Sequence, residues 1–143
     1  MKKVRAVLAY VDGSSTDGTV LEMACGTAKR FRARVHVIYV IKVRRDLPLT
    51  AEMQAEMEKG ERVLGEAESI ASSMSYQIDG EILQAREIGP AVVDEAAERA
   101  CDLVVLGLAY QARMGSFEVS PAVDFVLKNA PAQVWLVRGA PGE

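Results

Sequence analysis

Two places in the chain carry residues whose type and spacing could do chemistry. The first is Asp12, which follows the apolar run "VRAVLAYV" and opens "DGSS". A carboxylate there can accept hydrogen bonds from a base, a ribose or a turn N–H, and an Asx turn that caps its own loop is the simplest use of it. The second is "GLAYQARMGSFEVSP", residues 107–121, between the apolar "CDLVVL" and the apolar-periodic "AVDFVLKNA". A glycine-containing loop between a strand and a helix is where many α/β proteins hold phosphate, because N–H groups and the helix dipole both favour an anion. Yet Tyr110 and Pro121 stand where such a cradle uses glycine and a hydroxyl.

Other chemistries are poorly supplied. Ser14, Ser15 and Thr16 read as turn and N-cap residues, with no base near them in sequence. The single His36 falls mid-strand, away from the strand's carboxyl end, and reads as a packed side chain. Cys25 and Cys101 form no C-x-x-C pair, so a structural zinc site is not expected. They read as two buried thiols. Neither G-x-x-x-x-G-K-[ST] nor G-x-G-x-x-G is present. Glu87 and Asp12 are the only acids well placed at strand tips, and no convincing general base accompanies them, so catalysis is not expected.

These residues need a scaffold. The chain has 143 residues, enough for one domain with an ordinary core. Apolar residues make up 50% and charged residues 26%, the balance of a globular protein. A net charge of −3 gives no field that would draw nucleic acid or anionic lipid. No apolar run reaches the length of a membrane span, and the "MKK" opening lacks a cleavage site, which points to a cytoplasmic protein. Residues 1–138 read as a single domain and residues 139–143, "GAPGE", as a flexible tail.

Along the chain, apolar runs at Val4–Val11, Val35–Ile41, about residues 77–87, "CDLVVLG" and "QVWLVR" read as strands. Helix-periodic segments separate them. The first starts near Thr19. The longest covers Ala51 to about Ser73, with Thr50 as N-cap. A third opens at Pro90, with proline at its first position, and a fourth opens at Ser120-Pro121. Gly80 is a candidate bulge, and the Arg44-Arg45 pair reads as a solvated loop. Strands joined by helices demand parallel pairing with right-handed crossovers. The expected fold is α/β: a three-layer, doubly wound, five-stranded parallel sheet of order 3-2-1-4-5, with two helices on each face. Ligands on such sheets bind beyond the carboxyl ends of the strands, where the order reverses, and Asp12 and Gly107 fall there.

Taken together, "AYVDGS", "VHVIYV", "GPAVVDEAAERACDLVVLG" and "VLKNAPAQVWLVR" resemble the universal stress protein family over nearly the whole length, in order and spacing. Family members that bind ATP carry G-x2-G-x9-G-[ST] after the fourth strand. Anchored on "VLKNAP", that frame falls on Gly107, Tyr110, Ser120 and Pro121 without a gap. The resemblance implies an adenine end at Asp12, with Gly13, Val40 and Leu106 beside it, and a phosphate end at Gly107, Tyr110, Ser120 and Pro121. Only Gly107 keeps the motif's residue type. Pro121 supplies neither N–H nor hydroxyl, and Ser before Pro suits an N-cap. Losing two charge-assisted hydrogen bonds at roughly 1.5–3 kcal/mol each would weaken ATP by about two to four decades. Gly115-Ser116 imitates the motif's later pair five residues early.

Two readings follow. One is a non-catalytic regulatory or stress-response module with weak or absent ATP binding. The other is a sensor of an adenine nucleotide such as AMP, cyclic AMP or ATP, held through Asp12, Val40 and Gly107. The last strand would be an apolar edge, so a homodimer through Val134, Trp135 and Leu136 is expected, with an unidentified protein as further partner.

Overall fold

The computed structural model describes residues 3–110 and 119–142. Among these, five strands alternate with four helices: β1 (Ala6–Tyr10), α1 (Asp17–Phe31), β2 (Arg34–Lys42), α2 (Gln54–Ser73), β3 (Asp79–Ala85), α3 (Ile88–Glu98), β4 (Leu103–Leu108), α4 (Pro121–Asn129) and β5 (Gln133–Arg138). The strands form one sheet in the expected order β3-β2-β1-β4-β5, with every pair parallel as the intervening helices require.

The central strands are covered on both faces, which is why they read as continuous apolar runs. Val7, Val37, Tyr39 and Val105 point to one side and meet Val20, Leu21 and Ala24 of α1 and Leu64, Ala67 and Ala71 of α2. Leu8, Ile38, Val104 and Leu106 point to the other and meet Val92 and Ala96 of α3 and Val123 and Val126 of α4. Each face therefore carries two helices. Cys25 and Cys101 are buried and free, and burial holds both thiols above the usual range, Cys101 at about 11. They are packing residues.

Three local expectations change. First, α2 begins at Gln54 rather than Ala51, and its N-cap is Met53, not Thr50. The Gln84 side chain donates to the Leu49 and Ala51 carbonyls, tying this segment to the end of β3 before the helix starts. Second, Gly80 pairs with Val37 in unbroken register, so it forms no bulge. Third, α3 begins at Ile88, which makes Pro90 its third residue. The first four N–H groups of a helix lack partners within it, so proline at the third position forfeits no intrahelical hydrogen bond.

Candidate functional site

β1 and β4 lie side by side at the centre of the sheet, and the chain leaves them in opposite directions, β1 toward α1 and β4 toward α4. The gap this opens at their carboxyl ends is a cavity of about 700 Å³. It is bounded by Tyr10 at the end of β1 and Asp12 and Ser14 after it, by Leu106–Ala109 of β4 and beyond, by Glu87–Pro90 at the start of α3, and by Ser120–Val123 at the start of α4.

The β1–α1 turn is built almost entirely from its own side chains. Asp12 Oδ1 accepts the Ser14 N–H at 3.0 Å, which is an Asx turn. Asp17, the first residue of α1, reaches back: Oδ2 accepts the Gly13 N–H at 2.8 Å and Oδ1 the Asp12 N–H at 3.2 Å. Gly13 has φ +85°, a conformation glycine adopts without strain. Burial raises Asp17 to about 6, against the lowering effect of these two N–H donors, and the neighbouring Asp12 carboxylate adds to the rise. Ser14 and Thr16 bond through their hydroxyls at 2.9 Å, so Thr16, although at the N-cap position, caps no N–H. Asp12 itself is exposed at the cavity mouth, and its turn bond occupies only part of a carboxylate's acceptor capacity.

At the α4 end the picture differs. The Ser120 Oγ accepts the Val123 N–H at 3.2 Å and caps the helix, with Pro121 at its first position. The hydroxyl is thus engaged and one backbone donor is missing. The Tyr110 ring lies away from the cavity lining, with the Arg138 guanidinium 5.2 Å from its centroid. Gly107 does border the cavity, but the direction of its absent side chain faces α1, where Thr16 and Val20 leave no room for a Cβ.

The structure thus gathers Asp12, Leu106, Gly107, Ser120 and Pro121 around one cavity. Gly13 turns toward Val63 and Lys59 of α2, and Val40 is packed in the α3-side core; neither lines it. Gly115-Ser116 lies outside the described residues. Sequence reasoning did not single out Tyr10 and Lys42 as lining residues. Alternation carried the signal for Tyr10, two residues after the buried Leu8 on the same face. Burial, then Asp12, keeps the Tyr10 phenol far above its ordinary pKa, so this lining residue keeps its hydroxyl proton. The Lys42 ammonium stands 3.5 Å from Glu87, whose other oxygen is 3.9 Å from Arg45; these exposed pairs contribute little to stability. Among the described residues no three His, Cys, Asp or Glu side chains converge as metal ligands, and no helix is long and apolar enough to cross a membrane.

A family model described as the universal stress protein family matches residues 3–138. The chain belongs to that family. A universal stress protein of Methanocaldococcus jannaschii is 26% identical over 140 residues, which cover 94% of this chain and 82% of that one. Among solved structures, the fold is similar to a universal stress protein from Archaeoglobus fulgidus in complex with dAMP, at TM-score 0.72 and 20% identity over 96% of this chain and 99% of that one. It is also similar to a universal stress protein in complex with cAMP, at TM-score 0.70 and 18% identity over 95% and 98%. At these identities the likeness is one of fold.

Proposed function

We propose that this universal stress protein is a non-catalytic regulatory module whose cavity takes an adenine nucleotide bearing one phosphate, and which holds ATP weakly or not at all. One observation carries the reading: the two ends of the cavity are unequally equipped. At the β1 end, Asp12 and the Tyr10 hydroxyl offer an acceptor and a donor suited to a base or a ribose. At the α4 end, the Ser120 hydroxyl caps its own helix and Pro121 has no N–H, so a polyphosphate meets fewer donors than a cradle needs. The ligands named for the two similar structures, dAMP and cAMP, each carry a single phosphate. Among the described residues, the nearby Asp17 carboxylate is engaged by the Asp12 and Gly13 N–H groups, which supports binding rather than turnover.

β5 is an edge strand, and Val134, Trp135 and Leu136 on it are only half-buried. A second copy of the chain covers that edge in this reading. Light scattering at micromolar concentration tests the pairing; a monomeric mass contradicts it.

A thermal-shift panel of AMP, dAMP, cAMP and ATP at equal millimolar concentration tests the ligand class, since a ligand of the folded state stabilises it by RT ln(1 + [L]/Kd) and the tighter ligand therefore raises Tm more. The single-phosphate nucleotides are expected to raise Tm more than ATP does. No shift with any of them, or the largest shift with ATP, overturns the proposal.

A further inference from the structure

We propose that Asp17 is a positioning residue for the cavity: its carboxylate sets the turn that presents Asp12, and taking up a proton on Asp17 withdraws Asp12 from a bound ligand. The inference rests on the nucleotide reading above for the ligand's identity, and on the turn geometry for everything else.

Asp17 holds the backbone on either side of the Asp12–Gly13 peptide, accepting the N–H of Asp12 at 3.2 Å and that of Gly13 at 2.8 Å, one on each oxygen. An ionised carboxylate is an acceptor at both oxygens; a protonated one turns one oxygen into a donor. The ionised form holds the two N–H groups more strongly, because protonation weakens the acceptor at one of the two oxygens. The Asp12 carboxylate already stands within hydrogen-bonding reach of Asp17 and can accept the new O–H. A hydrogen bond between the two would occupy an Asp12 oxygen and hold it to its own turn, at the expense of a ligand in the cavity it borders. Gly13, with φ +85°, is a joint at which the turn can move.

Among the described residues, Tyr10, Tyr39 and Lys59 are the titratable groups that approach Asp17 and Asp12 from other elements. Tyr10 of β1 is near enough to feel both Asp12 and Asp17, and Tyr39 of β2 adjoins Tyr10. Lys59 of α2 approaches from beyond Gly13, where a Cβ on Gly13 would lie 3.8 Å from its ammonium. Tyr10 is held far above its ordinary range and stays a phenol, so among the described residues at this turn Asp17 is the group whose shift brings a charge change near neutrality. Burial raises Asp17 to about 6, which places the change between mildly acid and neutral pH.

The test uses the intact protein and two readouts. The backbone amide shifts of Asp12 and Gly13, followed by NMR without ligand, are expected to titrate with a midpoint near 6 in the parent and not in Asp17→Asn. Binding of cyclic AMP, whose phosphodiester keeps one charge across pH 5–8, is measured by calorimetry in parent, Asp17→Asn and Asp17→Glu. Affinity in the parent is expected to fall below the midpoint, by at most about tenfold per pH unit for one linked proton. Asp17→Asn should bind weakly at every pH, and Asp17→Glu should recover part of the pH dependence. Absence of the amide titration overturns the proposal whatever cyclic AMP does, as does an identical pH dependence of binding in parent and Asp17→Asn. Failure of cyclic AMP to bind at any pH overturns the nucleotide reading instead, and the amide titration then decides Asp17's hold on the turn by itself.

Discussion

Gly107 of β4 and Thr16 at the start of α1 are in closest approach: a Cβ on Gly107 would lie 2.7 Å from the Thr16 Cβ and run into its hydroxyl. The glycine that heads the family's phosphate motif is thus required here by helix-on-strand packing, whatever the loop beyond it binds. Gly107→Ala is expected to destabilise the ligand-free protein by about 1–3 kcal/mol, the usual result of overpacking a close contact. Thr16→Gly in the same chain should recover part of the loss, because glycine is tolerated at an N-cap and removes the clashing atoms. Urea unfolding measures both; an unchanged midpoint for Gly107→Ala contradicts this packing.

Ser120 has a second employment of the same kind. Its hydroxyl caps α4 through the Val123 N–H. Ser120→Ala should therefore lower the unfolding free energy by about 1 kcal/mol. Because that oxygen is already engaged, nucleotide affinity should change little. A large loss of affinity with no loss of stability would reassign the hydroxyl to the ligand.

Rebuilding the motif tests the phosphate end from the other direction. Tyr110→Gly, Ser120→Gly and Pro121→Ser together restore the G-x2-G-x9-G-[ST] frame from Gly107 to position 121. Regaining two charge-assisted hydrogen bonds should tighten ATP by about two decades or more, with a smaller change for AMP. Calorimetry with both nucleotides measures it. Equal affinity for ATP before and after contradicts the view that these three residues limit the grip on a triphosphate.

The buried His36 and the half-buried Asp17 give stability opposite pH slopes. His36 is 5% exposed, and Arg99, which has only donors, points Nη1 at its Nδ1 at 3.2 Å, so Nδ1 is the unprotonated nitrogen. Burial, then Arg99, lowers its pKa against a smaller opposing pull from Asp79. The unfolded chain therefore binds more protons at His36 than the folded one does, and stability is lost as pH falls below 6.5. Asp17 works the other way: raised from 3.8 to about 6, it adds stability below the lower value and loses it as pH rises through the upper one. The stability of the parent relative to His36→Gln should decline from pH 7 to 5, and relative to Asp17→Asn it should increase. Slopes of the same sign in the two comparisons would contradict these assignments.

The sheet was legible because its pattern is redundant. Five apolar runs separated by helical periodicity admit few topologies, and crossover handedness with burial on both faces prunes them to a handful that includes the observed order. Element ends were less legible, because contacts distant in sequence set them: Gln84, more than thirty residues on, holds the segment where α2 was expected to begin. The cavity's location followed from the fold rule. Its chemistry followed only in part, since spacing alone could not tell that Asp17 laces the turn around Asp12 or that Gly107 answers to Thr16. Tyr10 was hidden inside a strand that reads as core.

Asp12 is where the nucleotide reading is most exposed to disproof. Calorimetry at neutral pH with AMP and with ATP, on the parent and on Asp12→Ala, tests it directly. The account predicts that AMP binds more tightly than ATP, and that Asp12→Ala weakens AMP by about tenfold or more, the loss of one hydrogen bond to a charged group. ATP binding tighter than about 10 µM, or AMP affinity unchanged by Asp12→Ala, would contradict it.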